Sequence, residues 1–344
     1  MQDGTLLAAV DLGSNSFRLE IGRYEHGQLQ RIEYLKETVR QGGGLDAERN
    51  LSADALQRGW DCLARFAERL RDFAPAQVRA VATQTLREAK NRDVFIERGS
   101  AILGHRIEVV SGPEEARLIY QGVSHLLPQS DERRLVLDIG GRSTELIIGS
   151  GYAPQAMESY RVGSVAWSMR YFPDNVLSAR NFERAEIAAK AVLDDAATTH
   201  GRKQWDQAYG CSGTVGAIAD TLLLAERSPA RYQITREGLD WLRDKLIKAG
   251  RFDAIKLEGI KEERKAVIAG GLSVLRALFD LLQIDSLQYA YGALRHGALY
   301  DMLDREQEQT DVRATAVAAL AAKFSADAAQ GERVSRAALA PTRA

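Results

Sequence analysis

Residues 10–16 read VDLGSNS, and the same pattern returns at residues 137–143 as LDIGGRS. The match continues in the same register as far as Gly149, and it places Asp11 and Asp138 127 residues apart (138 minus 11). An interval of this length is close to the size of one domain. We infer that the chain contains two related domains, each of which opens with one copy of the motif.

Each copy of the motif reads as a strand, a Gly/Ser-rich turn and a returning strand. The apolar run 6–10 ends at turn residues, and 17–21 then alternates apolar and charged side chains. Runs 135–137 and 146–148 repeat this arrangement. Two unrelated hairpins would look alike locally, but the shared Asp-x-Gly-x-x-Ser register favours a duplication.

The rest of the chain alternates helical and extended patterns. Helical periodicity predicts helices at 52–73, near 86, and at 113–123, 182–199, 215–224 and 235–249. Residues 78–82 and 107–110 read as strands. This alternation predicts an α/β protein with sheets flanked by helices. Residues 311–344 are Ala-rich with helical spacing, and such helices need a partner surface to bury anything.

The charge balance argues against a nucleic-acid partner. The 344 residues contain 46 Lys and Arg and 47 Asp and Glu, for a formal net charge of -1. Without a long-range basic field, a polyanionic ligand must be held by local basic groups. The two cysteines form neither a disulfide framework nor a metal motif, which is consistent with a cytoplasmic protein. No stretch is apolar enough to predict a transmembrane segment.

Three Gly/Ser-rich loops have the composition of phosphate-binding sites. They are the two motif turns, 13–16 and 140–144, and the loop 210–214, which leads into a predicted helix. Small residues allow backbone N–H groups to converge on an anion, and a helix N-terminus adds unpaired donors. One such loop alone is usually only a turn. Three loops, two of them duplicated, favour a phosphate-handling cleft between the domains.

Acidic residues accompany the motif turns. Asp11 and Asp138 each end an apolar strand, and Glu145 lies across the second turn from Asp138. A carboxylate repels a neighbouring phosphate unless a cation lies between them, which implies Mg²⁺ or another divalent cation. The alternative is that these acids only form hydrogen bonds with turn amides.

Two further charged residues are candidates on weaker grounds. Ser111 to Glu114 match a capping box, which gives Glu114 a structural role but leaves Glu115 without one. Its helix could deliver Glu115 to a cleft as a base, although the spacing alone favours a surface acid. Arg87 follows a predicted strand and suits bidentate phosphate contacts, with an exposed helix charge as the plainer interpretation.

Four blocks together make the chain similar to the exopolyphosphatase/guanosine pentaphosphate phosphohydrolase (Ppx/GppA) family: residues 11–17, 111–118, 138–145 and 212–214. Residues 83–91 and 292–295 add weaker support, and the match runs from about 6 to 303. The resemblance implies an α/β fold of the acetate and sugar kinase/Hsp70/actin superfamily, with two ribonuclease-H-like domains facing an interdomain cleft.

The resemblance also implies domain bounds. We expect a first domain at 1–123 and a second at 124–303, with the last helix packing back on the first domain. Residues 304–344 would form a helical extension, either the end of a short family member or the start of a C-terminal domain.

Roles carried over from the family follow the same blocks. Glu115 would be the general base that activates water, and Arg87 would stabilise the phosphoryl oxygens. Asp138 and Glu145 would bind the metal, with Asp11 as a further candidate. The phosphates would be surrounded by Ser14, Asn15, Ser16, Gly140, Gly141, Arg142, Ser143, Thr144, Ser212, Gly213 and Thr214.

This sequence departs from the family pattern at four positions near these blocks. Arg142 replaces a small residue and could either add a phosphate contact or narrow the pocket. Cys211 precedes Ser-Gly-Thr where a small residue is familiar, and Tyr291 and His296 stand where acids are expected. These departures bear on substrate preference more than on activity.

The first functional expectation is an exopolyphosphatase that removes the terminal phosphate of inorganic polyphosphate in a metal-dependent reaction. The alternative is hydrolysis of guanosine pentaphosphate to guanosine tetraphosphate. Less favoured are a kinase-type phosphotransferase, with Gly270 and Gly271 as its adenosine-contacting turn, and a non-catalytic nucleotide-sensing module. A homodimer and peripheral membrane association stay open. One local basic run could guide a polyanionic substrate, but it is interpreted as a solvated helix face; it contains Lys256, Lys261, Arg264 and Lys265.

Overall fold

The computed structural model describes residues 2–26, 28–306 and 330. Residues 2–300 form one compact unit, and the described residues from Asp301 onward are assigned to a second. The strands are β1 Leu6–Leu12, β2 Phe17–Glu25, β3 Gln28–Glu37, β4 Val78–Ala82, β5 Ile107–Val109, β6 Arg133–Ile139, β7 Thr144–Ser150, β8 Ala153–Tyr160, β9 Gln207–Cys211, β10 Gln233–Thr235 and β11 Ser286–Tyr289. The helices are α1 Ala53–Leu70, α2 Gln84–Glu88, α3 Arg92–Leu103, α4 Gly112–Ser124, α5 Ser164–Tyr171, α6 Ala179–Val192, α7 Ala196–Thr199, α8 Ser212–Leu224, α9 Arg236–Ala249, α10 Glu262–Leu281 and α11 Leu294–Glu306.

The strands build two sheets with the same topology. The first has the order β3-β2-β1-β4-β5, and the second has the order β8-β7-β6-β9-β11, with β10 added at its edge. In both sheets the first three strands are antiparallel, and the central strand pairs in parallel with the strand that follows a helical crossover. The predicted α/β fold with two ribonuclease-H-like halves is confirmed.

The duplication extends to the details of strand pairing. Asp11 faces Arg18 across the β1–β2 hairpin, and Asp138 faces Glu145 at the equivalent place in the β6–β7 hairpin. Both returning strands carry an irregularity before the same glycine of the repeat, Gly22 on β2 and Gly149 on β7. A shared register with a shared bulge is what two copies of one ancestral hairpin would retain.

Helix α4 lies between the two sheets. Ser111 caps it, since its Oγ accepts a hydrogen bond from Glu114 N at 3.3 Å. Its apolar side chains share one buried cluster with Val81 of β4 and with Val136 and Ile147 of the second sheet. A helix covered on both sides by sheets buries more than one face, so residues that look solvent-facing by spacing become buried.

Helix α10 corrects one expectation from the sequence. Gly270 and Gly271 lie inside this 20-residue helix and do not form a turn, so the feature that suggested an adenosine contact is absent. A Cβ at Gly270 would stand 2.5 Å from Ser168 N and 2.6 Å from Ser164 O of α5. The glycines therefore serve to let two helices approach closely.

Other differences from the predicted elements are local. The helix predicted at 182–199 divides into α6 and α7, because the chain turns at Leu193. The proposed boundary after residue 123 falls at the end of α4, and the domain bounds stay a prediction. The predicted extension lies outside the described residues apart from 304–306 and 330. None of the described helices has both the length and the apolar composition needed to cross a bilayer.

Candidate active site

A cavity of about 320 Å³, here named the phosphate cavity, opens where the motif turns of the two sheets meet. Both motif aspartates line it, together with Glu115 of helix α4 and the first residues of α8. Twelve residues predicted from the sequence lie in its wall: Asp11, Ser14, Asn15, Ser16, Glu115, Asp138, Gly140, Gly141, Ser143, Ser212, Gly213 and Thr214.

The two motif turns have the same internal geometry and nearly touch. A Cβ at Gly13 would stand 3.0 Å from Ser16 O, and a Cβ at Gly140 would stand 3.0 Å from Ser143 O. Each position therefore favours glycine for the same reason. Across the cavity, a Cβ at Gly141 would come within 2.8 Å of the Ser14 side chain. The turns thus form two opposed rims with their small residues facing each other.

The third loop supplies a helix N-terminus. Helix α8 begins at Ser212, whose φ of 83° lies in the left-handed region that non-glycine residues seldom occupy. The Ser212 Oγ accepts hydrogen bonds from Thr214 N at 3.3 Å and Val215 N at 3.4 Å. This unusual backbone holds the 13-residue helix with its positive end toward the cavity, which is favourable for an anion.

Two buried carboxylates, Asp138 and Glu145, face each other in the second hairpin. Asp138 accepts a hydrogen bond from the Cys211 thiol at 3.3 Å, and Glu145 accepts one from Ser159 Oγ at 2.8 Å. Burial raises the pKa of Asp138 to about 6. Burial, together with the negative charges of Glu115 and Asp138, also raises the pKa of Glu145. The site therefore holds more negative charge than its protein partners neutralise.

These carboxylates are suited to a divalent cation shared with substrate. Among the described residues, no three His, Cys, Asp or Glu side chains lie close enough to hold a metal by themselves. Mg²⁺ commonly takes only one or two protein carboxylates and completes its shell with water and phosphate oxygens. Asp138 and Glu145 match that requirement. Asp11 is less suitable, because its Oδ2 already pairs with Arg18 Nη1 at 3.0 Å.

Glu115 is buried in the cavity wall, which corrects its interpretation from spacing as a surface acid. Arg79 and Arg117 bind the neighbouring Glu114 outside the cavity, whereas Arg87 Nη1 donates to Glu115 Oε2 at 2.5 Å. Burial raises the pKa of Glu115 to about 7, against the opposing effect of Arg87. A carboxyl with such a pKa can accept a proton at neutral pH.

Four predicted site residues lie outside the cavity wall. Arg87 donates to Glu115 Oε2 and to Val110 O, and its contact with a phosphate stays a prediction. Arg142 binds Glu88 Oε2 at 2.8 Å and Gly42 O at 3.0 Å, which ties the second turn to the first half of the chain. Thr144 is buried and donates to Val162 O. Glu145 is buried opposite Asp138 in the strand register and is not part of the cavity wall.

Basic residues in the wall were not recognised as site residues from the sequence. Arg18, Lys36, Lys261, Arg264 and Arg295 all line the phosphate cavity. Burial and the charge of Arg18 lower the pKa of Arg264 to about 10. Burial, Arg264 and Arg18 also lower the pKa of Lys36. These mutually repelling cations mark a place where an anion would be stabilised.

Arg264 also corrects the interpretation of its basic run as a solvated helix face. It is 8% exposed, and a Cβ at Gly213 would clash with its guanidinium. Glycine at position 213 therefore lets the Arg264 guanidinium lie against the loop 210–214. Both Gly213 and the basic run stand out in the sequence, but the proximity of Gly213 to Arg264 depends on the tertiary fold.

Arg295 is fixed from the opposite side of the cavity. Its Nε donates to Glu20 Oε2 at 2.5 Å, and His296 Nε2 lies 3.2 Å from Glu20 Oε1. Burial opposes ionisation of Glu20, but His296 and Arg295 together lower its pKa to about 2. The first residues of α11 are thereby bound to β2 of the first sheet.

The two similar halves, the opposed Gly/Ser turns and the acid-lined cavity between them give the chain the architecture of the actin-like superfamily fold. A model of the Ppx/GppA phosphatase family matches residues 21–306, and the chain belongs to this family. The family resemblance inferred from the four sequence blocks is confirmed.

Relatives and solved structures agree with this assignment. The chain is 44% identical over 329 residues to the guanosine-5'-triphosphate,3'-diphosphate pyrophosphatase of Vibrio parahaemolyticus, covering 96% of this chain and 65% of the relative. The enzyme of the same name from Vibrio vulnificus is 43% identical over 334 residues, covering 97% and 66%. The chain thus spans slightly less than two thirds of these relatives. The structure of an exopolyphosphatase from Cytophaga hutchinsonii shares the fold, with a TM-score of 0.79, 24% identity and coverage of 88% and 98%.

Proposed function

We propose that the protein hydrolyses the terminal phosphoanhydride bond of the 5'-triphosphate of guanosine pentaphosphate, producing guanosine tetraphosphate and orthophosphate. The motifs alone favoured polyphosphate as the substrate. The two relatives described above favour the reverse order, because both are more than 40% identical over nearly the whole chain and carry the name guanosine-5'-triphosphate,3'-diphosphate pyrophosphatase.

The division of charge within one cavity is the observation that carries the proposal. Carboxylates are concentrated around Asp138, whereas Arg18, Lys36 and Arg264 form a cationic wall. Phosphoryl transfer requires both the carboxylates and the cations. The cations bind the highly anionic substrate, and a carboxylate accepts the proton that the attacking water must lose. The Gly/Ser turns and the α8 N-terminus supply N–H donors for the transferred phosphoryl oxygens.

Glu115 is the residue best placed to accept that proton. As the water oxygen bonds to the terminal phosphorus, the bridging P–O bond breaks and the water proton passes to a Glu115 carboxylate oxygen. The Arg87 contact restrains this carboxylate in one orientation. With a pKa of about 7, Glu115 is unprotonated in a substantial fraction of molecules at neutral pH and is still basic enough to take the proton.

Mg²⁺ is proposed as the cofactor, held by Asp138 and Glu145. When bound, it would neutralise phosphate charge and hold the phosphoryl group in position. The raised pKa values of both carboxyls support this assignment, because a divalent cation would relieve the repulsion that raises them.

Polyphosphate is the second candidate substrate, because the groups described above in the cavity wall would bind phosphates and do not require a nucleobase. A competition experiment separates the two. Purified protein with Mg²⁺ is given guanosine pentaphosphate and long-chain polyphosphate together, and the loss of each is followed by chromatography. We expect guanosine pentaphosphate to be consumed with the higher kcat/KM. Preferential loss of polyphosphate would overturn the proposal, and phosphorylation of an acceptor without phosphate release would indicate a kinase.

A further inference from the structure

A second cavity of about 210 Å³, here named the side cavity, adjoins the phosphate cavity. Tyr291 lines both of them. The side cavity has a different character, because its wall includes the apolar side chains of Leu29, Leu126 and Leu299 and the ring of Tyr300. Nothing in a chain of phosphates requires such a surface.

The strand register shows that the two cavities follow one face of the β2–β3 pair. Side chains at alternate positions of a strand share a face, and Arg18, Glu20 and Gly22 are spaced in this way. Arg18 lines the phosphate cavity and Gly22 lines the side cavity. The bulge before Gly22 brings Arg31 opposite it and leaves Ile32 as the extra residue.

The distance along this face fits one extended ligand. Arg18 and Gly22 are four residues apart, which is roughly 13 Å at about 3.3 Å per residue. A nucleoside polyphosphate can span this length with its phosphate chain at one end and its base at the other. The phosphate end would meet the cations of the main cavity, and the base would reach the apolar wall.

An arginine and two tyrosines mark the junction of the cavities. Arg31 Nη1 donates to Tyr291 Oη at 2.5 Å, and its guanidinium lies 5.8 Å from the centre of the Tyr291 ring. The same guanidinium lies 5.9 Å from the Tyr34 ring, which lines the phosphate cavity. Tyr291 is 55% exposed, so much of its ring is available to a ligand. Aromatic rings and guanidinium planes are the surfaces on which nucleobases stack.

We propose that the side cavity binds the purine base of a guanosine polyphosphate whose phosphates occupy the phosphate cavity. This inference rests on the proposed function and names the part of the site that would distinguish a nucleotide from polyphosphate. Tyr291 supplies the stacking surface, Leu126 and Leu299 cover the base, and Arg31 holds the Tyr291 ring in place.

Binding measured without turnover tests the base site separately from catalysis. In metal-free buffer, calorimetric titration gives the Kd of guanosine tetraphosphate and of inorganic tripolyphosphate, which has no base. We expect Tyr291→Ala to weaken guanosine tetraphosphate binding about tenfold and to leave tripolyphosphate binding unchanged. Tyr291→Phe keeps the ring but loses the oxygen to which Arg31 donates, so it should weaken guanosine tetraphosphate binding less than Tyr291→Ala does and leave tripolyphosphate binding unchanged.

A second variant and a control guard against a general loss of structure. Leu126 is 43% exposed, so Leu126→Trp can fill the side cavity without entering the core, and it should also weaken only guanosine tetraphosphate binding. Leu224, which is 55% exposed and lines neither cavity, provides the control Leu224→Ala.

The possible outcomes divide clearly. Equal losses for both ligands, or no loss for either in Tyr291→Ala and Leu126→Trp, would overturn the base site and leave the side cavity to some other occupant, such as a second copy of the chain. Failure of the wild type to hydrolyse guanosine pentaphosphate would instead count against the proposed function, whatever the binding shows.

Discussion

The β1–β2 and β6–β7 hairpins share a strand register, a bulge and a glycine-dependent turn, yet they differ in charge at the phosphate cavity. In the first hairpin Asp11 faces Arg18 and forms an ion pair at 3.0 Å. In the second, Asp138 faces Glu145, and neither acid belongs to an ion pair within the described residues. The two hairpins differ in the residue that faces the aspartate, which is Arg18 in the first hairpin and Glu145 in the second.

This difference explains how a duplicated unit can produce an asymmetric site. With an arginine at the facing position, the hairpin neutralises its own aspartate and contributes a cation to the cavity. With a glutamate there, the hairpin accumulates negative charge that a divalent cation would offset. The duplicated backbone provides two similar Gly/Ser turns, and under the proposed function the side chains would give substrate binding to one hairpin and cation binding to the other.

The largest expected effect comes from removing the carboxylate of Glu115, which lines the cavity together with Asp138 of the second hairpin. Glu115→Gln should lower kcat for phosphate release by roughly 100-fold or more, because the amide cannot accept the water proton. Glu114→Gln is the matched control on the same helix, and its activity should stay within about twofold of the wild type. Melting temperatures verify that both variants fold. Retention of most activity in Glu115→Gln would remove this residue from the mechanism.

Exchanging charge for an amide at the two facing positions tests the division of roles directly. Glu145→Gln should raise the Mg²⁺ concentration needed for half-maximal activity by about tenfold, since one carboxylate of the pair is lost. Arg18→Gln should raise KM about tenfold and leave the Mg²⁺ requirement unchanged, because its amide can still donate to Asp11.

The two variants are compared by titrating Mg²⁺ and substrate independently. Arg18→Lys, which keeps the positive charge, should recover part of the lost affinity. If both amide variants changed the same parameter, the hairpins would not have separate functions.

The raised pKa values of the β6–β7 hairpin and of Glu115 on α4 predict that metal-free protein loses stability as the pH rises. Burial raises the pKa of Asp138 to about 6 and that of Glu115 to about 7, above their unfolded values of 3.8 and 4.5. The folded state therefore binds these protons more tightly, and the resulting stabilisation disappears as the pH rises through the folded pKa values.

We expect the melting temperature of metal-free protein to fall by several degrees between about pH 5.5 and about pH 8. Added Mg²⁺ should restore part of the loss at the higher pH. Asp138→Asn should have a flatter dependence, and an unchanged slope in this variant would place the titrating groups elsewhere.

Sequence patterns predicted the parts of this site that depend on local chain geometry. The motif turns and Asp138 could be recognised because strand, turn and carboxylate are adjacent in the chain. Glu115 was identified only by family resemblance, since its burial depends on two sheets that enclose α4. Arg264 was misinterpreted because its contact with Gly213 joins distant segments. Helix α10 was missed because a helix buried on most of its surface has no clear amphipathic stripe.

The smallest expected effect is on the free energy of unfolding, and it comes from replacing the equivalent bulge glycines Gly22 and Gly149. A Cβ at Gly149 would overlap the Tyr120 ring and stand 2.5 Å from Ala153 O, which is backbone and cannot easily move. A Cβ at Gly22 would have one tight contact, with the flexible Leu29 Cδ2 at 3.3 Å, and ordinary contacts at 3.7 Å with Gln30 O and Leu299 Cδ1. Gly149→Ala should therefore reduce the free energy of unfolding by about 1–3 kcal/mol.

Gly22→Ala should reduce it by less than about 1 kcal/mol, because the smaller clash is partly offset by the lower entropy of the unfolded chain. Urea unfolding of both variants gives the two values. Equal losses would show that the bulge itself requires glycine in both hairpins. A larger loss at Gly149 would show that the two backbones differ through the side chains that pack against them. These are Tyr120 of α4 at Gly149 and the flexible Leu29 at Gly22.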